Sequence, residues 1–370
     1  MTAPAETDPI SALPPIEDIR DQPGVSRRWV IGRFASVGVG ATLLGSDFLL
    51  SSCSSDDGTE EAAPTAGPAS REAEPSTEQD NTSGEFEADP SWQVDYQGKP
   101  NGTPIDPDKL KPNLNPEVPT WNEEKQAYTK RAENMRVEDG ALVVTARVEK
   151  YKYPGDDKEY GITAARLETY DSVAGQELAD GLTFNYGKVE VVAKLPEGKG
   201  VFAAPLWLVS ANSPGAAERV EAELDAMGEM SAEEREAKEA ELWGKYYKMG
   251  GEIDIESYGD PEKVELTAHT MNTPESGDEG SVNVEGATDG FHTYGIEVTP
   301  TKVTWTVDGK PVRTFEKKSD NPEDWPFTED NQLYVVTNLA MGGPAGGPID
   351  KSKAPWKMHI QKLSFYPLAK

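Results

Sequence analysis

Three carboxylates alternate with two isoleucines in residues 251–257, which read Gly-Glu-Ile-Asp-Ile-Glu-Ser. In a β-strand successive side chains point to opposite faces, so Glu252, Asp254 and Glu256 would share one face. Two carboxylates on one surface are the minimum requirement for glycoside hydrolysis: one attacks the anomeric carbon or activates water, and the other protonates the departing oxygen. The same alternation also fits the solvated face of an amphipathic strand, so the flanking sequence has to decide.

The spacing of these carboxylates can be compared with the distance that the chemistry requires. Glu252 and Glu256 are separated along a strand by about 13 Å of backbone, at ~3.3 Å per residue. On a concave sheet, two glutamate side chains that lean together can bring their carboxyl groups to the roughly 5–5.5 Å of a retaining enzyme. Asp254 lies between them, and repulsion among crowded carboxylates should keep at least one proton on the site near neutrality. A general acid requires such a raised pKa.

The composition and the strand pattern limit what the rest of the chain can be. The 370 residues carry a formal net charge of −30, which argues against a nucleic-acid partner because phosphate backbones are bound by Lys and Arg. A neutral polymer would suffer no such repulsion. From residue 92 onward, short alternating runs separated by turn residues predict an all-β antiparallel sandwich or barrel. The clearest runs lie at 141–148, 187–195, 264–270, 294–298, 303–307, 333–339 and 359–366.

One segment, at about 215–243, breaks the strand pattern. It is rich in Ala, Glu, Met and Leu, and Ser231 is followed three residues later by Glu234, which is a capping-box signature. This pattern predicts one or two helices inserted between strands, directly before the acidic strand. The high charge of the insertion is typical of a solvated helical face.

The N-terminal residues 1–53 resemble an export signal. The adjacent arginines Arg27 and Arg28 precede a weakly apolar, Gly-rich stretch, as in a twin-arginine signal, and the small residues before Cys53 resemble a bacterial lipobox, in which the thiol is acylated. The alternatives are a transmembrane anchor, which the charges of Arg33 and Asp47 argue against, and a free thiol without function.

These features predict three regions in the chain. Residues 1–53 form a twin-arginine-type lipoprotein signal, residues 54–89 a disordered acidic linker with almost no large apolar side chain, and residues 90–370 the folded domain. Cys53 is the one cysteine, so no internal disulfide can form. We expect a protein that is exported and held by the lipid on Cys53 at the outer face of the bacterial cell membrane.

In these motifs the chain resembles glycoside hydrolase family 16, the group of β-1,3-glucanases, lichenases and relatives. Residues 252–256 are similar to the family's Glu-x-Asp-x-Glu signature, and residues 122–128 to the Asn-x-Glu-x-Gln-x-Tyr pattern of its laminarinase-like members. The resemblance implies a concanavalin-like jelly-roll β-sandwich of two antiparallel sheets. Further matching segments follow in the family's order at 92–98, 134–146, 186–196, 202–208, 291–294, 308–309 and 338–343.

The resemblance also implies a role for each residue of the acidic strand. Glu252 matches the nucleophile, Glu256 the acid/base and Asp254 the assisting carboxylate. This assignment fits the chemistry, because covalent attack needs an ionised carboxylate and leaving-group protonation needs a neutral acid that later returns as a base. The configuration at the broken bond would be retained.

Four further residues match positions near the sugar in the family: Asn122, Trp207, His269 and Asn338. Each has a structural alternative, since a tryptophan in a sandwich is usually part of the core and a strand histidine is often a hydrogen-bonded structural residue. The other tryptophans considered are Trp121, Trp243 and Trp325, as weaker stacking candidates, and Trp305, as a core residue.

The sequence departs from the family pattern in three places. Position 257 is Ser and the extra residue of many laminarinases is missing, so we expect no β-bulge in the acidic strand. The glycine-rich loop at 342–348 lacks the tryptophan that many glucanases carry there. Gln361 stands where many members carry an Asp that binds a structural calcium, and Asp95 replaces a Glu in the first strand. Calcium is therefore possible but not predicted, and no other metal or cofactor is expected.

The sequence thus predicts a monomeric retaining endo-glycosidase whose partner is a polysaccharide, with a glucan that contains β-1,3 links as the leading substrate. The alternatives are the same chemistry on another polymer, such as a galactan or a wall polysaccharide, transglycosylation in place of hydrolysis, and a carbohydrate-binding surface protein without catalysis. A binding module has no need to crowd three acids, which argues against the last alternative.

Overall fold

The computed structural model describes residues 85–114, 123–155, 158–274 and 277–369, and it describes the second helix without the side chains at 233, 236 and 240. The predicted signal with Cys53, residues 54–84 of the predicted linker, and the sugar-binding candidate Asn122 with its neighbour Trp121 lie outside the described residues.

The described part of the chain consists mainly of strands. Those of its first half are β1 (Trp92–Asp95), β2 (Lys111–Pro112), β3 (Ala127–Tyr128), β4 (Met135–Glu138), β5 (Ala141–Tyr151), β6 (Tyr160–Ala164), β7 (Arg166–Glu168), β8 (Tyr170–Asp171), β9 (Gln176–Glu177), β10 (Thr183–Phe184), β11 (Gly187–Lys194) and β12 (Val201–Ser210). The helices are α1 (Ala216–Met227), α2 (Ala232–Tyr246) and the short α3 (Gly343–Gly346). The remaining strands are β13 (Glu252–Tyr258), β14 (Lys263–His269), β15 (Asp278–Asn283), β16 (His292–Val298), β17 (Lys302–Val307), β18 (Lys310–Glu316), β19 (Leu333–Met341) and β20 (Trp356–Pro367).

Two large sheets are packed face to face. The first runs β18-β17-β16-β11-β20-β5-β6-β3, with β1 paired to β20 and β4 to β5; the second runs β15-β14-β13-β12-β19-β7-β2, with β10 paired to β19. The strand pairs are antiparallel except for β3 with β6. The all-β antiparallel sandwich predicted from the alternating runs is confirmed.

The core fills the space between the two sheets. β11 shows how the sequence specifies it, because its buried and partly exposed residues alternate along the whole strand. In β13, Ile253 and Ile255 are fully buried in the same core. Trp305 is fully buried beneath β13, as predicted, and its indole Nε1 donates a hydrogen bond to the backbone oxygen of Asp254 at 2.9 Å. The acidic strand is thus fixed from its core side.

The acidic strand itself is regular. β13 pairs with β14 in continuous register from Glu252 opposite His269 to residue 257, so the absence of a bulge in β13 is confirmed. The irregularity lies in β12, where the register shifts near Pro205 against both neighbours. Proline has no backbone N–H for the ladder, and a bulge accommodates it inside a central strand. Beyond this bulge, Trp207 faces the same side as the carboxylates.

The structure corrects four details. Phe86, assigned to the linker by the boundary at residue 89, is buried and bridges to Leu368, because a large apolar side chain gains by packing on the domain. The helical insertion continues past residue 243, through α2 and a 3-10 turn to Met249. Trp243 is buried in a small core of the insertion and Trp325 in the main core, so neither is an open stacking surface.

Among the described residues, no helix is long and apolar enough to cross a membrane.

Candidate active site

The acidic strand β13 occupies the middle of the second sheet, between β12 and β14. Its carboxylates point away from the core because the isoleucines that alternate with them are buried in it. Trp207 on β12 lies directly opposite Asp254, and His269 on β14 lies directly opposite Glu252. The structure therefore brings these four predicted residues together with Glu256 on one face of the sheet.

The environment of β13 favours the neutral form of all three carboxyl groups. Burial raises the pKa of Glu252, and it raises the pKa values of Asp254 and Glu256 well above their ordinary range. Repulsion adds to this, from Glu252 on Asp254 and from Asp254 on Glu256. The Tyr258 hydroxyl donates a hydrogen bond to Glu256 Oε2, which opposes part of the rise in the pKa of Glu256. A proton on Glu256 is what an acid catalyst needs.

Glu252 differs from the other two because cations surround it. His269, Arg166 and Lys248 each lower the pKa of Glu252 and so offset part of the effect of burial. Burial lowers the pKa of His269 itself, so this side chain loses its charge readily, whereas a guanidinium stays charged. Neighbouring carboxyl groups whose environments push their pKa values apart can take different roles in catalysis. Burial still raises the pKa of Glu252, but among the three carboxyl groups Glu252 is the one whose ionisation these neighbouring charges assist.

Asp254 is the most enclosed of the three. Its side chain is 2% exposed, its Oδ2 lies 3.2 Å from His269 Nε2, and its buried Oδ1 has no hydrogen-bond partner among the described residues. An unpartnered buried carboxylate oxygen is costly when charged, which agrees with the raised pKa of Asp254.

Two of the predicted sugar-binding residues meet on the floor of the cleft. The Trp207 indole Nε1 donates to Asn338 Oδ1 at 2.8 Å, and the guanidinium of Arg166 lies 4.7 Å from the centroid of the indole ring. Trp207 is only 6% exposed, so it forms part of the floor and does not project into the cleft. The structure places three of the four predicted sugar-binding residues on this face; Asn122 is the fourth and lies outside the described residues.

Several residues of the site were missed by the sequence reasoning, and each had some signal. Tyr258 is two residues beyond Glu256, so the same alternation places its side chain on the face that carries the three acids. Glu124 and Tyr128 stand at alternate positions of the 122–128 pattern, from which only Asn122 was chosen. Arg166 and Glu168 form a buried Arg-x-Glu ion pair at 2.7 Å on β7. That pattern is too common in strands to single out a site.

The two sides of the cleft are built differently. Beside Glu252, where β12 ends and β13 begins, the hairpin of α1 and α2 closes over its own small core, which Met271 also joins after β14. At the other end of the site, where β13 and β19 end, glycine-rich loops come together. The Gly342 N–H donates a hydrogen bond to the Gly200 backbone oxygen at 2.8 Å, and Gly346 lies next to Phe202. The ring of Phe202 contacts that of Tyr258 at 4.8 Å.

Donor atoms of Glu252, Asp254 and His269 all lie within 4.8 Å of one another, close enough to hold a metal ion. Crowded acids in an active site often show such spacing without binding one, and the expectation that no metal is needed stays a prediction.

Comparison with known proteins agrees with this geometry. The model of the glycosyl hydrolases family 16 matches residues 241–358, which contain β13 and both strands that carry His269 and Asn338. A β-glucanase of Rhodothermus marinus is 30% identical over 300 residues, covering 75% of this chain and 86% of the relative. The chain belongs to glycosyl hydrolase family 16. The predicted membership of this family is thereby confirmed, and the protein is a glycoside hydrolase.

Solved structures extend the agreement to the fold. The laminarinase from Rhodothermus marinus superposes with a TM-score of 0.58 at 28% identity and covers 76% of this chain and 98% of that one. A glucan endo-1,3-β-glucosidase A1 of Niallia circulans is 26% identical over 291 residues; the match covers 74% of this chain but only 37% of that larger protein. The jelly-roll sandwich expected of the family 16 enzyme is confirmed.

Proposed function

We propose that this family 16 enzyme is a retaining endo-glycosidase that hydrolyses internal bonds of a glucan containing β-1,3 links. The observation that carries the proposal is the pair Glu252 and Glu256 on one cleft face, with cations beside the first and a raised pKa at the second. The names of the relatives, a β-glucanase and a glucan endo-1,3-β-glucosidase, support the choice of polymer.

In the first step, the Glu252 carboxylate attacks the anomeric carbon while Glu256 transfers its proton to the departing glycosidic oxygen. The bond from the anomeric carbon to that oxygen breaks, and a glycosyl ester of Glu252 forms. In the second step, the Glu256 carboxylate removes a proton from water, whose oxygen attacks the same carbon and releases Glu252. Two inversions give net retention.

Asp254 supports the first step through its proton. Its raised pKa lets it donate a hydrogen bond to Glu252, which holds the nucleophile in place and steadies the returning negative charge when the ester breaks. His269 Nε2, at 3.2 Å from Asp254 Oδ2, orients the side chain of Asp254. We further propose that Trp207, Asn338 and His269, together with Asn122, bind the sugar.

The test is a reducing-sugar assay of the purified full chain on laminarin, mixed-linkage glucan, agarose and galactan. We expect turnover on the first two, and we expect Glu252→Gln to lower it by roughly 10⁴-fold or more while the circular dichroism spectrum stays native. Glu285→Gln, at an exposed position outside the strands of the site, is the control. Full activity in Glu252→Gln would end this mechanism, and turnover confined to agarose or galactan would replace the substrate.

The role of each glutamate can be separated by chemical rescue. Azide added to Glu252→Ala should restore cleavage of an activated aryl glycoside and give a glycosyl azide of inverted configuration, because azide takes the place of the nucleophile. Azide added to Glu256→Ala should give the retained azide, because it replaces water at the glycosyl ester. The reverse pattern would exchange the two roles.

We propose, from the sequence alone, that the enzyme is exported and held by a lipid on Cys53 at the outer face of the cell membrane, and that it acts as a monomer. Cys53→Ala should move the protein from the membrane fraction to the soluble fraction. Continued tight attachment of this variant would mean that another anchor operates. Light scattering of the detergent-solubilised wild type checks the oligomeric state.

We also propose that the enzyme needs no calcium or other cofactor. At the site where many family members bind calcium, Gln97 Nε2 donates to Gln361 Oε1 at 3.2 Å, and an amide pair supplies less negative charge than an acid. Activity and melting temperature should therefore be unchanged by EDTA. A loss that added calcium restores would contradict the proposal.

A further inference from the structure

A chain of hydrogen bonds crosses the floor of the cleft, and its direction is fixed by chemistry. The indole N–H of Trp207 can only donate, so the amide of Asn338 must turn its oxygen to Trp207, at 2.8 Å. The Asn338 Nδ2 then donates to the Tyr128 hydroxyl oxygen at 3.1 Å. Tyr128 must pass its own proton onward, and it donates to Glu124 Oε2 at 3.4 Å.

A second chain reaches the same oxygen from the other side. The backbone N–H of Met341 can only donate, and it donates to Gln126 Oε1 at 2.8 Å. This fixes the amide of Gln126, so its Nε2 must donate, and it does so to Glu124 Oε2 at 2.7 Å. Two chains that start from donor-only groups thus converge on one carboxyl oxygen.

We propose that Glu124 is a positioning residue: as the common acceptor of both chains, it sets the direction of the Asn338 amide and holds Trp207 in place beside the catalytic strand. A hydroxyl at this point could turn and become a donor, and an aliphatic side chain would leave Tyr128 and Gln126 with unpartnered protons. Without the acceptor, Tyr128 gains by donating to Asn338 instead. The amide of Asn338 would then have to flip and present its NH₂ group to the indole N–H.

The charges around Glu124 agree with this role. Burial raises the pKa of Glu124 to about 7, while its bonds to Gln126 and Tyr128 and the charge of Arg166 act against the rise. The charge of Glu124 in turn contributes to the raised pKa of Glu256. Hydrogen bonds in a chain polarise one another, so loss of the acceptor at Glu124 should weaken each bond of the chain, including the one that the Trp207 indole donates. Because Trp207 lies opposite Asp254, the effect reaches the floor below the reacting sugar.

The proposal rests on the proposed function only for its kinetic readout, so the experiment also uses a spectroscopic readout that does not depend on activity. The eight tryptophans are labelled with ¹⁵N in the full chain, and the indole signal of Trp207 is assigned from Trp207→Phe. Glu124→Met removes the acceptor at nearly constant volume. We expect the Trp207 indole proton to move upfield and KM to rise roughly tenfold, with a much smaller change in kcat. Glu133→Met, at an exposed position, is the control.

The conservative variant separates positioning from simple loss of packing. In Glu124→Gln the side-chain oxygen can still accept both bonds, so the Trp207 signal and KM should return most of the way to the wild-type values. If Glu124→Met does not fold, Tyr128→Phe breaks the first chain alone and should move the same signal. The proposal is wrong if Glu124→Gln perturbs the signal as much as Glu124→Met does, or if the signal stays put in Glu124→Met and Tyr128→Phe. Absence of wild-type turnover on every polymer would refute the proposed function and leave the spectral test intact.

Discussion

At the scale of residues, the three carboxyl groups of the site share an environment that disfavours their charged forms, but nearby cations offset this effect only at one of them. Burial raises the pKa of all three carboxyl groups of β13, and cations relieve it only around Glu252. In the mechanism we propose, the nucleophile and the acid therefore lie on the same strand. Such an arrangement lowers the free energy of unfolding, because the folded protein must bury groups that water would solvate.

That cost predicts the effect of Glu256→Gln on stability. The pKa of Glu256 is raised on folding, so its stabilising proton is present below the unfolded-state pKa of about 4.3 and is lost as the pH rises through the folded-state pKa. Glutamine carries no such proton to lose. We expect Glu256→Gln to match the wild type in free energy of unfolding near pH 4 and to exceed it increasingly as the pH rises through the folded-state pKa.

Denaturant unfolding of both proteins across this pH range measures the difference. The exposed Glu285→Gln is the control and should show no trend with pH. If Glu256→Gln were less stable than the wild type at high pH, the Glu256 carboxylate of the wild type would have to be well solvated in the folded state.

The residues of the site differed in how far the sequence could reveal them. The trio could be predicted because alternation along one strand is local, and Tyr258 was within reach by the same rule. Arg166 was not, because its place beside Trp207 depends on β19 lying between β7 and β12, strands distant in sequence. The role of Glu124 was hidden for the same reason: it acts through Tyr128, and the Asn338 amide that donates to Tyr128 lies 210 residues away in sequence.

At the scale of elements, the helical hairpin is a nearly separate body beside the cleft. Its core consists of residues from α1, α2 and the following turn, with Leu224 fully buried, and it is distinct from the core of the sandwich. The capping box at Ser231 and Glu234, predicted from the sequence, starts α2. The bulge of β12 could not be predicted in the same way, since Pro205 marks an irregularity but not the register on either side.

The separate core predicts local unfolding of the hairpin. Leu224→Ala should cost about 2–5 kcal/mol of packing, most of it within the hairpin. We expect hydrogen exchange to accelerate over residues 216–246 while the sandwich keeps its protection and the global melting temperature changes little. Leu208→Ala, in the sandwich core, is the matched variant and should lower the melting temperature of the whole domain. Equal losses in both variants would show that the hairpin unfolds only with the sandwich.

The turn that joins the hairpin to β13 carries Lys248, whose charge lowers the pKa of Glu252. Lys248→Met should therefore raise the pKa of Glu252. Because the nucleophile must be ionised, the acidic limb of the pH profile of kcat/KM should move to higher pH, and the alkaline limb, set by Glu256, should stay. Lys238→Met, exposed on α2, is the control. A shift of both limbs, or of neither, would contradict this account of Glu252.

At the scale of the whole molecule, the 370-residue chain carries a formal net charge of −30, and its active site must admit a polymer. A neutral glucan feels little of this field, whereas an anionic polysaccharide is repelled before it reaches the floor. At short range, Arg166 and Lys248 contribute positive charge beside Glu252. The field of the whole chain acts over a long range and is screened strongly by salt, whereas the charges beside Glu252 act at short range and are screened little.

This difference in range can be measured with carboxymethylated and neutral forms of the same β-1,3-glucan. We expect the KM of the carboxymethylated polymer to exceed that of the neutral one severalfold at about 0.01 M ionic strength, where the Debye length is about 30 Å, and to approach it at about 0.3 M. The KM of the neutral polymer is the internal control and should change little with salt. If added salt instead weakens binding of the anionic polymer, the local cations outweigh the field of the whole chain. The cleft would then be selective for substituents that carry negative charge.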